Sequence, residues 1–92
     1  MIIKSAFDLL TIGNESMLIP VGDEANRFRG LLVMNDETAF IIRLLQTDQT
    51  TDSLLDAFLE EYDIDQETAR IQLEHLLHRL DNMGILEFTP AH

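Results

Sequence analysis

A chain of 92 residues holds one hydrophobic core and no second of useful size, so residues 1–92 are read as a single domain. Its apolar fraction of 46% suits a folded globular chain, the lack of cysteine excludes disulfides and thiolate metal sites, and no apolar run approaches the roughly 18 residues of a membrane helix. Six Lys and Arg against 17 Asp and Glu leave a formal charge of −11, which repels nucleic acid and anionic membranes and points to a protein or peptide partner.

The start, Met1-Ile2-Ile3-Lys4-Ser5-Ala6, has neither the basic lead nor the apolar stretch of a secretory signal, so a cytoplasmic protein is expected. Phe7, Leu9 and Thr11 alternate with Asp8, Leu10 and Ile12, which predicts a strand. Gly13-Asn14-Glu15 is a turn signal. Met17 to Val21 follows as a second strand, with Pro20 near its end because proline cannot donate to a ladder. After a polar loop, Gly22 to Asn26, a third strand is expected over about Phe28 to Met34. Short strands joined by tight turns predict an antiparallel meander.

The rest of the chain follows a helical period. Asn35 has the character of an N-cap, with Asp36 and Glu37 placed favourably for the helix dipole. The helix from about Asp36 to Gln46 is apolar nearly all round, which places it at the centre of the fold. Thr50 or Thr51 caps a second helix with a stripe of Leu54, Leu55, Phe58, Leu59 and Tyr62. Asp63 or Asp65 opens a third and longest helix, closed by Gly84. Ile85-Leu86-Glu87-Phe88 then reads as a short wing strand. The predicted fold is α+β and winged helix-turn-helix-like: a three-stranded antiparallel sheet, three helices and a C-terminal wing strand. The expected core includes Phe40, Ile41, Leu44, Leu45, Phe58, Leu73, Leu76, Leu77 and Leu80.

At about 100° per residue, Ala69, Leu73, Leu76, Leu77, Leu80 and Met83 share one face of the third helix, the core stripe. Ile71, His75, His78 and Asn82 share the opposite side, either a solvated face with one stray isoleucine or a second contact surface. The segment Leu31-Leu32-Val33-Met34 is apolar on both faces and has no proline or lysine to blunt an edge. At the margin of the meander it would be a template for strand addition by a peptide, or for pairing with a second copy of the chain in a homodimer.

Three segments, in this order and spacing, resemble the PqqD family. They are Leu31 to Ala39 followed by Ile42-Arg43-Leu44-Leu45, then Thr50 to Leu55 through Glu61-Tyr62-Asp63, then Leu76 to Leu80 followed by Gly84-Ile85-Leu86. The resemblance implies a non-catalytic recognition element of a peptide-modifying pathway such as PQQ biosynthesis. It would bind the leader segment of a ribosomally made precursor and present it to a separate enzyme, often of the radical S-adenosylmethionine type. It also implies that the leader adds as a strand along Leu31, Leu32, Val33 and Met34, facing some of Ile71, His75 and His78. Two positions depart from the family pattern: Ile42 stands where many members carry tryptophan, and Gln72 where an acidic residue is common.

Other chemistry finds little footing. His75 and His78 are three apart on one helix, but no third ligand with recognisable spacing accompanies them. Asp63, Asp65, Glu67 and Glu74 match calcium-loop positions one, three, five and twelve, yet Thr68 occupies the place that needs glycine. No nucleophile motif or phosphate-binding glycine loop is present, and no catalytic residue, cofactor or metal is assigned. The acidic run from Asp56 to Glu67 is a solvated face or a surface for a basic patch on an enzyme partner. The alternative function is a winged-helix DNA-binding domain, but its third helix would offer only Arg70 and Arg79 against Glu67, Glu74 and Asp81. A self-associating structural domain is the third possibility.

Overall fold

The computed structural model describes residues 1–22 and 32–88. Strands β1 (Ile2–Ile3), β2 (Phe7–Ile12), β3 (Glu15–Pro20) and β4 (Leu32–Met34) lead into helices α1 (Asp36–Leu44), α2 (Thr51–Glu61) and α3 (Gln66–Asn82), and β5 (Leu86–Glu87) follows. Strands β2 and β3 form a hairpin in which Ile12 faces Glu15. Gly13 takes φ 60° at the first of the two turn positions, the left-handed conformation that a tight hairpin of this kind requires there. Phe7 and Leu18 turn inward and are buried, while Pro20 pairs with Phe7 at the strand end.

The strand expected over Phe28 to Met34 is present as β4 over Leu32–Met34, and 28–31 lie outside the described residues. It pairs antiparallel with β3, Ser16 facing Met34 and Leu18 facing Leu32. The order β2-β3-β4 leaves β4 with one partner among the described residues, so its second backbone edge is open there.

The expected three-stranded antiparallel sheet is present as β2-β3-β4, and the wing strand, expected alone, belongs to a second antiparallel sheet with β1. The wing strand pairs with β1, Ile3 facing Leu86 and Ile2 facing Glu87. The Ile3 N–H donates to the carbonyl of Leu45 (2.9 Å), and the Lys4 N–H to that of Ile85 (2.9 Å). Two residues are too few to show an alternation, so Ile2-Ile3 gave no strand signal.

Each helix begins on a cap. The Asn35 side chain accepts from the Thr38 N–H at 2.8 Å. Thr50 and Ser53 satisfy each other reciprocally, both bonds 3.0 Å long. Asp65 accepts from the Thr68 N–H at 3.1 Å and from its hydroxyl at 2.7 Å. Of the alternatives left open by the sequence, Thr50 and Asp65 are therefore the capping residues. Helix α1 ends at Leu44, short of the expected Gln46. At the end of α3, the Ile85 N–H reaches the Leu80 carbonyl and the Gly84 N–H that of Asp81, with Gly84 at φ 74°. This paired closure needs a left-handed residue, and only glycine adopts that conformation without penalty.

The core is built from Ile41, Ile42 and Leu45 around α1, Leu54, Leu55 and Phe58 from α2, Ala69, Leu73 and Leu80 from α3, and Ile3, Phe7, Leu18, Ile85 and Leu86 from the strands. Tyr62 packs edge-on against Phe40 and Phe58, with centroids 5.6 and 5.3 Å apart. Of the expected core, Phe40, Leu44, Leu76 and Leu77 are only half-buried. Met83, assigned by the wheel to the core stripe, is 37% exposed. The capping turn carries it past the helix end and beyond the core.

Candidate functional site

Helix α3 presents its side chains in stripes about 100° per residue apart. Ala69, Leu73 and Leu80 point into the core. Rotated from them toward the start of α1 and the end of β4 lies a second stripe: Gln72, Leu76, Arg79 and Met83.

That stripe forms one wall of a trough made of two adjoining clefts. The larger, about 290 Å³, is floored by Ile41, Phe58 and Leu73 and flanked by Glu37, Gln72 and His75. The smaller, about 140 Å³, lies between Met34, Leu80 and Met83. Asn35, Thr38, Leu76 and Arg79 line both, so the clefts are continuous. The local sequence dictates this shape. Asn35 ends β4 and caps α1 in one step, which sets the strand edge and the first helical turn side by side against α3.

The sequence-predicted site residues fall into two groups. Strand β4 supplies the edge expected of Leu32, Val33 and Met34; Met34 is half-buried in the smaller cleft, and Leu31 lies outside the described residues. His75 lines the larger cleft. Ile71, 48% exposed, and the exposed His78 line neither. On the wheel they project almost directly away from Ala69, Leu73 and Leu80, so the structure does not bring them to the trough. Sequence reasoning missed Asn35, Thr38, Leu76, Arg79 and Met83 as site residues, having assigned the first to capping and Leu76 and Met83 to the core. Gln72, noted only as a departure from the family pattern, lies on the trough wall.

The trough has a mixed, mostly uncharged lining with one cation, Arg79, where the clefts meet and one carboxylate, Glu37, at the larger cleft. Nearby, the Tyr62 phenol is raised above its ordinary value of 10.0, first by burial and then by the charges of Asp36, Glu37 and Glu61, so it stays neutral near pH 7. Among the described residues no group of three or more His, Asp or Glu is placed to hold a metal ion. No helix among them is long and apolar enough to cross a membrane. An open strand edge beside a half-apolar trough suits an extended chain, whose backbone pairs with the edge while alternate side chains enter the trough.

The family model described as Coenzyme PQQ synthesis protein D (PqqD) matches residues 23–86. Among solved structures the chain is similar to TbiB1, determined in complex with the TbiA(beta) leader peptide. The TM-score is 0.80 at 23% identity, over 99% of this chain and 100% of that one. No curated protein sequence matches the chain.

Proposed function

Because the chain belongs to the Coenzyme PQQ synthesis protein D (PqqD) family, we propose that it is a non-catalytic adaptor that binds the leader of a ribosomally made precursor peptide and presents it to a separate modifying enzyme of the radical S-adenosylmethionine type. The observation that carries this reading is the edge of β4 that has no partner strand among the described residues, lying beside the trough on α3. The leader pairs with the backbone of Leu32–Met34 and sends alternate side chains toward Leu76, Arg79 and Met83 in one direction and His75 and Gln72 in the other. Backbone pairing supplies affinity that tolerates sequence, and the clefts supply choice. The likeness to TbiB1, a protein solved with a leader peptide, supports a leader peptide as the partner. Ile71 and His78 lie on the outer shoulder of α3, outside this contact.

The three helices closing on the β1–β5 ribbon support a winged helix-turn-helix-like arrangement, in a protein we place in the cytoplasm. A second copy of the chain would compete for the same β4 edge, and sedimentation at rising concentration separates that homodimer from a free adaptor. The adaptor role itself is tested by searching the neighbouring reading frames for a short precursor and titrating its labelled synthetic leader by fluorescence anisotropy. Saturable binding that unlabelled leader displaces is expected. Absence of binding to any leader segment of that precursor contradicts the role.

A further inference from the structure

The strongly acidic surface of this domain makes its few cations informative, and one of them, Arg79, stands in the trough without an ion-pair partner among the described residues. Arg70 makes no ion pair among the described residues either, but Glu67 three residues before it and Glu74 four after it on the same helix offset its charge. The corresponding neighbours of Arg79 are His75, Leu76, Asn82 and Met83, none of them acidic. Across the trough stand Asn35, whose side chain is engaged in capping, and Thr38. Glu37 flanks the larger cleft only and forms no ion pair with Arg79, and no other carboxylate among the described residues does so. Arg79 is exposed, lies where the two clefts meet, and is flanked by the half-buried Leu76 on one side and Met83 on the other.

The spacing of these three residues matches that of an extended chain. Side chains two apart on a strand are about 6.6 Å apart, and one turn of helix advances about 5.4 Å. Successive inward side chains of a peptide lying along β4 therefore meet Met83, Arg79 and Leu76 in turn. Resting on the leader-binding reading above, we infer that Arg79 is a specificity-determining residue that selects a leader with one Asp or Glu at the central inward position and apolar residues two positions to either side. With a formal charge of −11, the domain repels carboxylates elsewhere along the peptide. The preference is thus for a single acid in one register and not for acidic peptides at large. The exposed guanidinium gives one carboxylate a modest, salt-sensitive preference, while Leu76 and Met83 supply apolar contacts on either side of it.

The experiment is selection of phage-displayed random dodecapeptides on the intact protein, followed by titration of the enriched peptides against wild type and Arg79→Gln. Enriched sequences are expected to carry Asp or Glu between two apolar residues in the i, i+2, i+4 pattern, and Arg79→Gln to weaken each by about threefold at low salt. Changing the peptide's acid to its amide should weaken binding to wild type equally and leave binding to Arg79→Gln unaltered, with unchanged thermal midpoints showing that the fold is intact. Peptides that shift the amides of Leu32–Met34 but show no acid preference and bind Arg79→Gln as well as wild type overturn the role of Arg79 while leaving strand addition standing. Failure of any peptide to bind at the trough overturns both.

Discussion

Met34, at the end of β4, and Met83, at the C-terminal cap of α3, line the same small cleft, so a strand edge and a helix end share one recess of mixed polarity. Methionine adapts its shape to what it touches, which suits a recess that must accept more than one side chain. Thr38 lines both this cleft and the larger one and is half-buried. Its side chain is not needed for the α1 cap, which uses the Thr38 backbone N–H. Thr38→Trp should therefore fill the trough, abolish leader binding in the anisotropy assay and leave the melting temperature nearly unchanged. Undiminished binding by the variant would place the peptide elsewhere.

Leu73 and Leu76 are neighbours on α3 with different surroundings, the first 1% exposed and the second half-buried on the trough wall. Leu73→Ala should cost about 2–5 kcal/mol in urea unfolding. Leu76→Ala should cost distinctly less, because part of its surface is already in water, yet it should weaken leader binding. Equal destabilisation by the two would mean that the trough is closed in solution.

Asp65 makes the stability of the α3 cap depend on pH. Its carboxyl is held below its ordinary value of 3.8, first by the Thr68 hydroxyl and then by the Thr68 backbone N–H. A group whose value is lower folded than unfolded contributes stability that is complete above the unfolded value and lost as pH falls through the folded one. Asp65→Asn keeps a capping acceptor and removes the titration. Below pH 3.8 its stability should fall less steeply than that of wild type, as read by urea midpoints at a series of acid pH values. Parallel curves would show that the cap does not respond to protonation.

Duplex DNA should not bind at physiological salt, because α3 sets Arg70 among Glu67 and Glu74 and the domain carries a formal charge of −11. A gel-shift titration checks this. Submicromolar binding that weakens steeply with salt would favour a winged-helix DNA reader instead.

What was legible in the sequence was local. Asn35 and Gly84 act on backbone within a few residues, so their roles follow from the residues beside them. The other two caps were narrowed to Thr50 or Thr51 and Asp63 or Asp65, of which Thr50 and Asp65 serve. The β1–β5 ribbon was not legible, because Ile3 meets Leu86 across nearly the whole chain and each strand is two residues long. The trough was half legible. An unblunted apolar strand could be read as an edge, and β4 is one among the described residues. Which shoulder of α3 faces that edge could not be read, because a helical wheel separates core from solvent but does not say on which side of the core the sheet stands. Ile71 and His78 were chosen as the face opposite the core, whereas Leu76 and Arg79 border the core and share a cleft with Met34 of the strand.

The most direct test of strand addition beside α3 is a titration of unlabelled leader into isotope-labelled protein, following backbone amide shifts residue by residue. The largest shifts are expected at Leu32, Val33 and Met34, at Thr38 across the trough, and at Gln72, Leu76, Arg79 and Met83, with Ile71 and His78 moving little. Shifts gathered on α2 or on the outer face of α3, with Leu32–Met34 unmoved, would contradict it.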